Sequence, residues 1–135
     1  MTHKPRSLAF ALVLAFAPTC MALADDPPGT AIHFAQGASG ASVKGRLQGE
    51  ESRRYTLRAH AGQKVSVRLE SSNASNYFNI TAPGSAEALF NASVSGNSAS
   101  FDTEKAGDYV ILVYLMRRAA RRHETSDYTL SVHVE

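Results

Sequence analysis

Eight apolar residues in a row, Tyr109-Val-Ile-Leu-Val-Tyr-Leu-Met116, run straight into Arg117-Arg-Ala-Ala-Arg-Arg122. As a strand, the first stretch points Tyr109, Ile111, Val113 and Leu115 to one face and Val110, Leu112, Tyr114 and Met116 to the other. Apolar residues on both faces predict a strand in the middle of a sheet, with something packed on each side. The second stretch is the densest block of positive charge in the chain, four arginines in six positions. It leaves the sheet from the stiffest strand, and charged loops on rigid strands are common binding surfaces. The rest of the chain reads as a scaffold for that loop.

The scaffold is legible as alternation. Ile32 and Phe34 face in within Ala31 to Ala35, and Val43, Gly45 and Leu47 face in between Ala41 and Gln48. Tyr55 and Leu57 do so within Arg54 to Ala59, while Val65, Val67 and Leu69 give the cleanest period-2 pattern, from Lys64 to Glu70. Tyr77 to Ala82 is a strand ended by Pro83-Gly84; Ala99 to Thr103 is another, around Phe101; Asp127 to Glu135 closes the chain. Ala86 to Ala92 stays open between a short helical turn and a bulged strand. Tyr55 through Ala61-Gly62 to Leu69 resembles Phe101 through Ala106-Gly107 to Val113, each being strand, Ala-Gly turn, strand. They read as two hairpins built alike. Seven to nine short strands with regular turn signals predict an all-β, antiparallel, jelly-roll-like sandwich.

The first 24 residues stand apart. Lys4 and Arg6 precede an apolar run from Leu8 to Ala17, and Ala22-Leu-Ala24 offers a small-residue cleavage site. This is a secretory signal peptide, followed by a tail over 25–29 and one domain over 30–135. The single cysteine, Cys20, lies in the leader, in a poor lipoprotein box because of Pro18 and Thr19. No disulfide is therefore expected, and core packing alone must hold the domain. Lys4 and Arg6 are two of fourteen basic residues, so the remaining twelve balance twelve acidic ones. A neutral exported domain argues against nucleic acid and against general attraction to a membrane. Any electrostatic role must come from local clustering.

Catalytic and metal chemistry find no support in the pattern. His33, His60, His123 and His133 are scattered, with no His-Glu-x-x-His among them. Ser39 in Gly37-Ala-Ser-Gly40 lacks a nucleophile-elbow setting, and Glu50-Glu51 are adjacent in a turn rather than placed across a cleft. Asn73, Asn79 and Asn91 each open an Asn-x-Ser/Thr triplet, read as chance matches. The chain is read as no enzyme, with no metal and no cofactor. The arginine block remains. Arginine forks suit bidentate pairing with carboxylates. Arg117 and Arg121 are four apart, as are Arg118 and Arg122, so a helical turn would put each pair on one face. The small Ala119 and Ala120 between them would let a partner surface come close.

These features resemble the periplasmic inhibitors of g-type (goose-type) lysozyme over nearly the whole chain after the leader. The likeness rests on Tyr55-Thr-Leu with Ala61-Gly-Gln-Lys-Val65, on Ala106-Gly-Asp-Tyr109, and on Val113 to Arg121 with Tyr128 opening the last strand. The Ala-Gly-x-Tyr turn is also shared with secreted sandwiches similar to the bacterial pre-peptidase C-terminal domain. What the resemblance implies is a periplasmic β-sandwich whose end loops fill the acidic peptidoglycan groove of a g-type lysozyme. It assigns Arg117 and Arg121 to that surface, with Arg118 and Arg122 beside them, and matches Ala106-Gly107 to the family's small-residue turn, commonly Ser-Gly. Glu50 and Glu51 stand where the family often has an aromatic residue. The alternative is a secreted carbohydrate- or peptidoglycan-binding module, with Tyr77 as the candidate for an exposed ring.

Overall fold

The structure, a computed structural model, describes residues 29–135; the predicted leader and all but the last residue of the predicted tail lie outside the described residues. Nine strands form among the described residues: β1 (Thr30–Ala31), β2 (Gly40–Gln48), β3 (Ser52–Ala59), β4 (Lys64–Ser71), β5 (Asn76–Thr81), β6 (Ala88–Asn91), β7 (Ser98–Asp102), β8 (Gly107–Leu115) and β9 (Thr125–Val134). Two short helices join them, α1 (Ala92–Ser95) and α2 (Arg117–Arg121). One sheet has the order β1-β3-β8-β5-β6 and the other β2-β9-β4-β7. Strands β2 to β9 thus wind as a jelly roll, with pairs antiparallel throughout. β1 is the exception, a two-residue strand parallel to β3.

Period-2 alternation sets the layers. Leu47, Leu57, Val65, Phe78, Ile80, Ile111, Val113 and Leu130 have no solvent exposure at all, and they meet between the sheets. Each such side chain contributes about 1.5–3 kcal/mol by leaving water. Tyr55 from one sheet and Tyr128 from the other join hydroxyls across the interior at 2.6 Å. Tyr128 lies over Gly45, its register partner; a Cβ at Gly45 would collide with the Tyr128 hydroxyl and ring. Glycine there is a requirement of packing. Burial raises the Tyr128 pKa well above its ordinary value, and the hydrogen bond to Tyr55 adds to the shift.

Two sequence expectations need correction, and one open choice is decided. β8 is central in its sheet, but only Tyr109, Ile111, Val113 and Leu115 are buried. Val110, Leu112 and Tyr114 stay partly exposed and Met116 is exposed, because a two-layer sandwich covers one face of each sheet. The two Ala-Gly repeats are not hairpins. β3 and β4 lie in different sheets, as do β7 and β8, so each turn is an arch from layer to layer. The arches interlock: Gly62 N–H donates to Thr103 O at 2.7 Å and Thr103 N–H to Gln63 O at 2.8 Å. Finally, Ala88–Asn91 is a strand with a register shift at Ile80/Thr81, and the helical turn follows it at Ala92–Ser95. The open choice over this stretch resolves as a bulged strand.

Candidate functional site

The sandwich has two ends, and the arginine block sits on one of them. β8 delivers Leu115 to that end, where Ser52 pairs with Tyr114, Gln48 with Thr125, and Ser71 with Tyr128. The turn at Gly49–Glu51, the loop between β4 and β5, and α2 therefore gather together. The arches and Glu135 occupy the other end.

α2 forms because its small residues have somewhere to go. Ala119 and Ala120 are 2% and 6% exposed and join the core cluster. The sequence reading gave them the task of admitting a partner, and the structure instead makes them the seat of the helix. At about 100° per residue, the other four positions cover one continuous arc opposite that seat. Arg117, Arg118, Arg121 and Arg122 are all exposed along it. Arg117 and Arg121 lie about 40° apart around the axis, as do Arg118 and Arg122. Among the described residues, no ion pair or side-chain hydrogen bond holds any of the four guanidiniums.

The helix stops in a Schellman motif. His123 has φ 55, its N–H donates to Ala120 O at 3.0 Å, and Glu124 N–H donates to Ala119 O at 3.1 Å. His123 stands in the left-handed position that glycine usually takes. The β2–β3 turn is stitched to the same spot: Gly49 N–H donates to Glu124 O at 2.9 Å. Gly49 itself has φ 60, and a Cβ there would lie 3.4 Å from His123 Nδ1. Glu50 is exposed beside this junction, while the Glu51 carboxylate accepts the Gln48 N–H at 3.2 Å.

Ala106 and Gly107 are elsewhere. Gly107 opens β8 and pairs with Ala59, whereas α2 follows the end of β8 at Leu115. Eight residue steps of strand separate them by about 26 Å. The structure therefore places the Ala-Gly turn at the arch end, at the far end of β8 from Arg117 and Arg121. Tyr128, which carries part of the resemblance, is 3% exposed and is a core residue. Tyr77 is only half-buried and makes no exposed platform.

The sequence marks Ser71 to Asn76 as a polar loop but assigns this β4–β5 connection no role at the site. Asn73 Nδ2 donates to Glu124 Oε1 at 3.1 Å and to Thr125 O at 3.2 Å, while Asn73 Oδ1 accepts the Ser75 N–H at 2.9 Å. Just inside, Asn76 and Ser126 are fully buried and bonded at 2.8 Å. A short Asn- and Ser-rich stretch between strands was the available signal, since Asn side chains build turns by bonding nearby backbone. Among the described residues, no three His, Cys, Asp or Glu side chains gather in a way that could hold a metal ion.

No family model matches the chain, and no curated protein sequence matches it either. Solved structures do. PliG of Aeromonas hydrophila, a periplasmic lysozyme inhibitor of g-type lysozyme, is 33% identical, with a TM-score of 0.74 over 79% of this chain and 96% of that one. This chain belongs to the PliG family. PliG of Salmonella Typhimurium, at 20% identity and a TM-score of 0.63 over 79% of this chain and 97% of that one, shares the fold. So does the pre-peptidase C-terminal domain of collagenase from Bacillus anthracis, with 17% identity and a TM-score of 0.56 over 82% of this chain and 100% of that one. Membership in the PliG family rests on the 33% identity to the Aeromonas hydrophila protein, and the all-β sandwich fold on all three likenesses.

Proposed function

We propose that this protein is a non-enzymatic, periplasmic inhibitor of a g-type lysozyme, exported by the leader over 1–24, and that α2 is the part that enters the enzyme's groove. The observation that carries the reading is the arc of four guanidiniums without partners among the described residues, on a helix seated on the core, in a member of the PliG family. Glycoside hydrolysis generally requires carboxylates flanking the scissile bond. A guanidinium placed beside them forms charge-assisted, bidentate hydrogen bonds while its neighbours exclude substrate. Such a hydrogen bond contributes about 1.5–3 kcal/mol. Arg117 and Arg121 are the principal contacts, with Arg118 and Arg122 flanking them. Exposed Glu50, close to the helix exit, would meet a basic residue on the groove's rim. Ala106 and Gly107 form no part of this surface.

The test is inhibition of cell-wall clearance by g-, c- and i-type lysozymes, titrated with the mature protein. Inhibition of the g-type enzyme is expected. Losing one partner of a desolvated charge pair costs about 2 kcal/mol or more, so Arg117→Ala and Arg121→Ala should each weaken inhibition by roughly thirtyfold or more. Their thermal midpoints should not change, since both side chains are exposed. Full potency in both variants would remove the arginines from the mechanism.

A further inference from the structure

A helix of five residues is far too short to persist by itself. The residue before α2, Met116, supplies no side-chain cap. Its backbone N–H instead donates to Ser75 O at 2.9 Å, so the β4–β5 loop fixes where the helix begins. Ser75 is in turn held by Asn73 Oδ1. The same Asn73 side chain reaches the chain leaving the helix, through Glu124 Oε1 and Thr125 O. One amide thus spans the start and the end of the arginine segment. Both N–H donors of the amide are used and its oxygen accepts once.

We propose that Asn73 is the positioning residue of the arginine helix. Its amide closes a loop of contacts from Ser75 through Met116 and α2 to Glu124, and so sets the orientation from which the four guanidiniums project. A helix held in place before contact loses less freedom on docking. The link to inhibition rests on the function proposed above; the link to the helix does not. Asparagine is specifically suited: aspartate would lose both donors and set a second carboxylate against Glu124.

Amide hydrogen exchange on the folded protein tests the link to the helix without any lysozyme. In Asn73→Ala and Asn73→Asp, the amides of Ala120, Arg122, His123 and Glu124 should exchange at least tenfold faster, while those of β8 and β9 keep their protection. Asn73→Asp combined with Glu124→Gln exchanges acceptor and donor across the pair and should restore most of the protection. Unchanged exchange in α2 overturns the proposal, and so does an equal loss across β8 and β9, which marks a general stability effect. In the inhibition assay, Asn73→Ala should weaken inhibition about tenfold in the wild-type background and less than twofold in an Arg121→Ala background. Equal factors in both overturn the action through the arginines. A wild-type protein that inhibits no lysozyme removes the proposed function, and the exchange result then decides for Asn73.

Discussion

Tyr128 ties three features of this molecule to one ring. It fills the space that Gly45 leaves open, bonds Tyr55 in the opposite sheet, and holds its proton more tightly than an exposed tyrosine because it is buried. The sign of the pH effect follows. The unfolded chain releases this proton near pH 10.0, and the folded one does so only at higher pH. The associated stability is therefore complete below about pH 10 and is lost as pH rises above it. Urea midpoints measured from pH 8 to 11 should fall at the alkaline end, and the fall should be shallower in Tyr128→Phe. Gly45→Ala forces a Cβ against that ring and should cost about 1–3 kcal/mol, read from the same urea midpoints at neutral pH. Alternation in the sequence turned Gly45 and Tyr128 inward. It could not pair them, because register between strands so far apart along the chain is set by the whole sheet.

At the level of elements, α2 shows how a polar-looking stretch becomes structure. Two alanines bury, four arginines do not, and a Schellman motif ends the turn. The four-residue spacing made the shared face legible. The role of the alanines was not, since a small residue reads equally well as a gap for a partner or as a close approach to one's own core. His123 in the left-handed region carries a backbone penalty of about 1–2 kcal/mol. His123→Gly should therefore raise stability by about 1 kcal/mol, offset in part by the entropy of glycine, and urea unfolding would read it. Ala119→Asp should do the opposite locally, placing a charge where the helix sits. Inhibition should weaken at least tenfold while the far-UV spectrum remains that of a β-sandwich. The strands themselves were legible from period 2, whereas the arches were not: strand, Ala-Gly turn, strand describes a hairpin and an inter-sheet crossing equally well.

Across the whole molecule, the jelly roll separates two jobs by the length of a strand. The arches lock one end through Thr103, whose hydroxyl accepts Gln63 N–H and donates to His60 O. Thr103→Val keeps the shape and removes both bonds, which should cost about 1–3 kcal/mol of stability. Inhibition per folded molecule should stay at the wild-type level, measured by titration at a temperature where the variant is fully folded. A drop in potency would contradict the assignment of Ala106-Gly107 to a remote end. Sandwich class and strand count could be read from turn spacing, but which loops share an end depends on the winding order, and no local pattern encodes that. Glu135 belongs to the arch end, where its carbonyl accepts Lys64 N–H and its N–H donates to Lys64 O. An affinity handle or a sensor-chip linkage added after Glu135 would hold the molecule by its base, leaving every copy with its guanidiniums facing the bulk solution.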